Sequence, residues 1–214
     1  MTNDAEKIAS TPDSLSNAGF NPNVKLPYDL RVEHIRAAMN DFIEFLSLIN
    51  QQLVAREMQR LETIVMPANF SSIVGEFMAV SIPRYCATLA KNHYHNGHPD
   101  LIPAGMFENN AAQYAHKGIE IKASRYLRGW QGHNPENVWL MVFVFDSNRP
   151  EDAAKNIAPK PFRFVQVLGA QLTKRDWNFS GRTGASRRTI TASVTESGYR
   201  KMTRNWIYKS SNAG

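Results

Sequence analysis

Cysteine is nearly missing from this chain: Cys86 is the only one in 214 residues. A lone thiol excludes an internal disulfide and leaves no thiolate cluster for zinc, which needs several Cys or His ligands. Cys86 lies in an apolar run and reads as buried and inert. No stretch reaches the ~18 continuous apolar residues of a membrane span. The acidic, polar N-terminus shows no basic-then-apolar leader pattern, and a reducing cytoplasm fits these features. There is no G-x-x-x-x-G-K-[ST] loop, so ATP-driven chemistry is not indicated. Acidic residues are scarce at one end only. Residues 157–214 hold eleven Lys or Arg against Asp176 and Glu196, an excess of +9, whereas residues 1–156 carry −3 of the overall +6. This asymmetry argues for a polyanionic partner on the C-terminal part and says nothing about fold.

What is present is ordinary globular material: 43% hydrophobic and 21% charged residues, enough chain for one domain with a sizeable core. Residues 1–28, rich in Asn, Ser, Asp, Gly and Pro, read as a flexible arm. The remainder, 29–214, reads as one α/β domain with a helical part (29–90), a sheet core (91–172) and a basic part (173–214). Apolar residues at 3.6 spacing, from Ile35 to Ile49, predict a long helix over about 31–61. Pro67 interrupts, Asn69 or Ser71 offers a cap for a second helix, and Pro83 bends or ends it. A third helical piece is expected over 85–89. Strands are expected near 99–103, 117–123, 138–146, 162–170 and 189–194. The run W-L-M-V-F-V-F-D has the unbroken apolarity of a strand buried on both faces. Residues 196–206 read as a C-terminal helix.

The chemistry concentrates in two short motifs. His-Pro-Asp ends in Pro99-Asp100, and Gly-Ile-Glu-Ile-Lys holds Glu120-Ile121-Lys122. Alternation along a strand turns Ile119 and Ile121 one way, Glu120 and Lys122 the other. If the strand carrying Asp100 pairs with this one, two carboxylates and an ammonium converge. Carboxylates are the hard oxygen donors that Mg²⁺ takes, and the Ile121 carbonyl is a natural further ligand. A metal so held lowers the pKa of bound water, while Lys122 could orient that water, take its proton or neutralise phosphoryl charge.

The resemblance carried by Pro99-Asp100 and Glu120-Ile121-Lys122 is to the PD-(D/E)XK nuclease superfamily, and within it to type II restriction endonucleases. It spans roughly residues 70–172. It implies a restriction-endonuclease-like mixed β-sheet flanked by helices, with Mg²⁺-dependent hydrolysis of DNA phosphodiesters leaving a 5′ phosphate. An acidic residue on the helix before the first core strand is frequent in the family, and Glu76 is the candidate here. The implied partners are double-stranded DNA and a second copy of the chain, since cutting both strands needs two sites; the long N-terminal helix offers a dimer surface. A cognate DNA methyltransferase would act on the same target.

The remaining candidates are for binding. Arg125 and Arg128 follow the motif and suit phosphates. Gln131, His133 and Asn134 lie in a glycine-punctuated polar loop, and Asn or Gln suits adenine edges. His93, His95 and His98 crowd one loop, at a spacing that matches no structural zinc site, and are expected at the entrance to the site. Ser180, Arg182, Thr183, Ser186, Arg187 and Arg188 form a guanidinium- and hydroxyl-rich segment for DNA, extended by Lys201 and Arg204. A structure-selective repair or recombination nuclease, and a non-catalytic DNA-binding protein, are the alternative readings.

Overall fold

The computed structural model describes residues 2–132, 134–179 and 191–211. Helices lead the chain: α1 (Thr2–Ala9), α2 (Val32–Ala55), the single turn α3 (Leu61–Ile64) and α4 (Pro67–Tyr85). Strands follow as β1 (Leu89–Lys91), β2 (Leu101–Pro103), β3 (Ile119–Ser124), β4 (Gln131–Gly132), β5 (Val138–Asp146), β6 (Arg163–Leu172), β7 (Trp177–Phe179) and β8 (Ala192–Val194). Helix α5 (Glu196–Arg204) and strand β9 (Trp206–Lys209) complete the described elements. The main sheet has the order β1-β2-β3-β5-β6-β9, and a small sheet has the order β4-β8-β7. The main sheet is mixed: β3 and β5 run parallel, and every other pair is antiparallel.

The architecture has three layers because β5 is apolar on both sides. Trp139, Met141, Phe143 and Phe145 face α2 and α4, while Val138, Leu140, Val142 and Val144 face the small sheet and α5. Helix α2 presents Ile35, Ala38, Met39, Phe42 and Leu46, all fully buried, at the spacing of one helical face. Helix α4 does the same with Phe70, Val74, Met78 and Ile82. Phenylalanine rings interlock between the layers, with Phe42 5.2 Å from Phe162 and Phe70 5.5 Å from Phe145, centroid to centroid. On the far side Trp130, Trp177, Ala192 and Met202 close the second core.

Several expectations are corrected. Pro67 starts α4 as its first residue instead of interrupting a helix, because an initial N–H has no partner in the helix and proline lacks one. Met66, not Asn69 or Ser71, is the capping residue. Pro83 is accommodated in the last turn, and the chain leaves the helix at Cys86 into β1, so there is no third helical piece over 85–89. Helix α2 stops at Ala55, ahead of α3. The C-terminal helix stops at Arg204, and Trp206 opens a strand of the main sheet. The described elements of the basic part, β7, β8, α5 and β9, are therefore woven into the domain.

Described residues within the first 28 are also packed, contrary to a flexible arm. Phe20 bridges to Tyr208, Asp13 N–H donates to the Phe162 carbonyl, and Asn21 N–H donates to the Ile207 carbonyl. Glu6 reaches the fully buried Arg60 (2.7 Å), whose guanidinium also donates to Glu62 (2.6 Å), to Asn148 Oδ1 (2.8 Å) and to the Lys160 carbonyl (3.0 Å). Asn50 donates to the second oxygen of Glu62 (2.9 Å). This network joins α1, α2, α3 and the loop after β5. Among the described residues no helix is long and apolar enough to cross a membrane.

Candidate active site

Three local devices bring the two motifs together. Asn92, buried after β1, donates to the carbonyls of Pro99 and Ala112 and accepts from the Ala112 N–H, while its own N–H donates to the Asp100 carbonyl. It thereby fixes the loop that ends in Asp100. Gly118 sits at φ +143°, and a Cβ there would lie 2.1 Å from the Leu101 carbonyl oxygen, so only glycine lets β3 enter this close to β2. The Gly118 N–H is held by the Tyr28 hydroxyl at 2.7 Å. Finally, β2 pairs with β3 only at Leu101–Ile119, so residues 120–124 have no strand on that edge. Asp100 caps the exposed edge by accepting from the Ile121 N–H at 2.7 Å. An extended residue directs its N–H and C=O to the same edge, so the Ile121 carbonyl lies on the Asp100 side too.

As alternation requires, Ile119 and Ile121 enter the core under α4, and Glu120 and Lys122 share the other face. Lys122 Nζ donates to Glu120 Oε1 at 2.9 Å. The second Glu120 oxygen meets His98 Nδ1 at 3.0 Å, and His98 Nε2 meets Glu136 Oε2 at 2.6 Å. Asp100 is within hydrogen-bonding reach of Glu120. A cavity of about 250 Å³ opens on this group, bounded by Asp100, Glu120 and Lys122 on one side and by Ser71, Gly75 and Glu76 of α4 on the other.

The electrostatics follow from a count. Among the described residues, Asp100, Glu120 and Glu136 supply three carboxylates and His98 and Lys122 supply two cations, so one carboxylate has no cation of its own there. Burial disfavours the ionised forms of Asp100, Glu120, His98 and Lys122, and their contacts decide which of them ionise. Burial would raise Glu120, but the His98 hydrogen bond and the Lys122 charge offset this and hold it at about 2. Burial would lower His98, yet its bonds to Glu120 and Glu136 raise it to about 9. Lys122 is likewise raised against burial, by the charge and hydrogen bond of Glu120, and keeps its proton at neutral pH. Asp100 is the odd member. Burial and the charge of Glu120 push it up to about 7, and the Ile121 N–H and the Lys122 charge compensate only in part.

Sequence reading placed His98 at the entrance to the site or on phosphate, not against Glu120, and did not single out Glu136. Glu136 lies in a polar loop with no pattern of its own. Glu76 lines the cavity rim but is exposed and paired with Lys91 at 2.9 Å. His93 is exposed, its Nδ1 3.2 Å from the Asn109 carbonyl, and His95 is exposed.

A second cavity, about 670 Å³, adjoins the first and shares Ser71, Lys122 and Ala123 with it. Arg125 and Gln131 are in its wall. Arg125 stacks over Phe145 and Phe70 at 4.9 and 5.5 Å and donates through Nη1 to the Ser147 carbonyl and hydroxyl. Arg128 lies over the Tyr199 ring at 5.0 Å, and Asn134 is exposed. Lys201 is engaged with the buried Asp176 at 2.6 Å, and Arg204 is exposed at the end of α5. His133, Ser180, Arg182, Thr183, Ser186, Arg187 and Arg188 lie outside the described residues.

Among the described residues, no group of three or more His, Cys, Asp or Glu side chains is arranged to hold a metal ion. Two carboxylates and one main-chain carbonyl form a smaller donor set. Neither family models, nor characterised proteins, nor solved structures give a match to this chain.

Proposed function

We propose that this protein is a Mg²⁺-dependent DNA endonuclease of the type II restriction kind, with a restriction-endonuclease-like core and with Asp100, Glu120 and Lys122 at its reacting centre. The observation that carries the reading is a carboxylate with no ion-pair partner among the described residues. Asp100 is half-buried against Glu120 beside an open cavity, and its surroundings hold it at about 7. The structural cluster around Arg60, by contrast, sets both of its carboxylates directly against the guanidinium. A cluster short of one positive charge fits a divalent cation.

The residues suited to hold that cation are Asp100, Glu120 and the carbonyl of Ile121, with water and a phosphate oxygen completing the shell. When bound, Mg²⁺ supplies acidified water and stabilises charge on the phosphoryl oxygens. Lys122, protonated at neutral pH, donates hydrogen bonds to the attacking water or to a non-bridging oxygen, and this narrows its duty to orientation and charge neutralisation. His98 keeps Glu120 ionised and aimed, and Glu136 fixes the His98 ring. The water oxygen forms the new bond to phosphorus, the bond to the 3′ oxygen breaks, and the products are a 5′ phosphate and a 3′ hydroxyl.

Double-strand cutting calls for two such centres, most simply in a two-fold homodimer on a palindromic duplex. A DNA methyltransferase modifying the same site would protect the host. The direct test is incubation of supercoiled plasmid with Mg²⁺ and with EDTA. Discrete fragments with Mg²⁺ alone are expected. Nicking confined to branched substrates would instead favour the repair-nuclease reading, and DNA binding with no cleavage under any divalent metal would favour the non-catalytic one.

A further inference from the structure

The cavity of about 670 Å³ beside Lys122 is not needed to hold an intact duplex, whose phosphates lie on a convex surface. Its volume falls within the range of small-ligand pockets, roughly 300–1,000 Å³. We infer that it receives one unpaired nucleotide of the substrate, next to the phosphate that is cut. This rests on the nuclease reading above and adds to it that the strand must be locally opened, with one base drawn out of the stack.

The walls carry the argument. Trp130 and Tyr126 both line the chamber. The Trp130 indole N–H is already satisfied by the Tyr126 carbonyl at 2.8 Å and its ring is packed in the second core, so it backs the wall and offers no donor. Tyr126 is a large aromatic left 66% exposed, which suits stacking of a base. Gln131 adds an amide able to meet a base edge with one donor and one acceptor. Two guanidinium groups set the sign of the field. Arg149 lines the chamber and is only loosely held by Glu151, at 3.9 Å; Glu151, also in the wall, is shared with Lys155 at 4.0 Å.

Arg125 is a different kind of cation. Its Nε and Nη2 are sealed from solvent with no hydrogen-bond partner among the described residues, and it is held by Ser147 and by stacking on Phe70 and Phe145. It therefore acts as a fixed positive charge behind the wall, while Arg149 is the group free to grip an anion. An aromatic surface, one amide and a net positive field describe a nucleoside phosphate better than a bare anion or an apolar ligand.

The test titrates 2′-deoxyadenosine 5′-monophosphate, and separately inorganic phosphate, into the full-length protein in EDTA, by calorimetry. Saturable one-to-one binding of the nucleotide is expected, about tenfold tighter than phosphate, the difference being the stacked base. Tyr126→Ala and Arg149→Ala should each weaken it by about tenfold with unchanged melting temperatures, because both side chains are substantially exposed. No saturable binding, equal affinity for phosphate, or binding indifferent to both chamber substitutions would overturn the proposal. Plasmid cleavage without nucleotide binding would sink the chamber alone. Nucleotide binding without cleavage under any divalent metal would sink the nuclease reading and leave the chamber standing.

Discussion

Two charge clusters lie in this molecule, and they are built to different ends. Around Arg60, the guanidinium has a named acceptor on each of its three nitrogens, Glu62 is bonded at both oxygens, and the group ties four segments of chain together. Around Glu120, Asp100 has no ion-pair partner among the described residues and stands at the wall of a cavity. Both are largely withdrawn from water, so burial alone does not separate a structural cluster from a reactive one. The distinction lies in completeness. A satisfied network resists change, and an unsatisfied one is ready to take a ligand.

The sharpest way to break this comparison is to delete one cation from each cluster. Lys122→Ala should lower the rate of Mg²⁺-dependent plasmid cleavage by about 10²–10⁴-fold while gel-shift affinity for DNA persists; Lys122→Gln guards against loss of folding. Normal cleavage by either variant would remove Lys122 from the chemistry. Arg60→Ala should act on the fold instead. It strands Glu62, whose side chain is fully buried, and a broken buried pair costs about 3–5 kcal/mol, readable as a lower urea midpoint. A loss of cleavage with unchanged stability would contradict the division of labour.

The next contrast is in pH. Asp100 is raised from 3.8 to about 7 by folding, so the stability it lends is full below pH 3.8 and is lost as pH rises through 7. His98, raised from 6.5 to about 9, lends stability that is full below pH 6.5 and lost as pH rises through 9. Glu120, lowered from 4.5 to about 2, lends stability above pH 4.5 that is lost as pH falls through 2. The cluster's contribution in EDTA should therefore decline from about pH 4.5 to 9, by an amount on the order of a few kcal/mol. Urea denaturation across that range checks it. Asp100→Asn should remove the limb centred between pH 4 and 7 and leave the limb of His98. At pH 8, Mg²⁺ should raise the melting temperature of the wild-type chain and leave Asp100→Asn unmoved.

The smallest effect expected is at Gly75, on the α4 side of the cavity. A Cβ there would sit 3.8 Å from the Ala123 nitrogen, an ordinary contact. Gly75→Ala should stabilise the helix by up to about 1 kcal/mol and narrow the cavity, lowering cleavage modestly while raising the melting temperature. A fall in both would show that α4 cannot move closer to β3.

Much of this was legible in the residues. The alternation Ile119-Glu120-Ile121-Lys122 set the faces of β3, the double-sided apolarity of β5 announced a three-layer core, and Asp100 did arrive beside Glu120. What could not be read depends on contacts distant in sequence. His98 reaches Glu120 because Asn92 pins its loop to Ala112, and Glu136 arrives on the connection between two parallel strands. The polar composition of residues 1–28 concealed their packing because Phe20 and Glu6 find partners far along the chain, at Tyr208 and Arg60. Strand β9 was hidden behind a helix pattern that breaks only at Asn205.

The measurement that bears most directly on the central claim is a Mg²⁺ titration of plasmid cleavage with wild-type protein and Asp100→Asn at pH 8. The account predicts metal-dependent double-strand cuts by the wild-type chain, none in EDTA, and none by the variant at any Mg²⁺ concentration. Undiminished cleavage by Asp100→Asn, or an intact plasmid with the wild-type chain under every divalent metal, would contradict it.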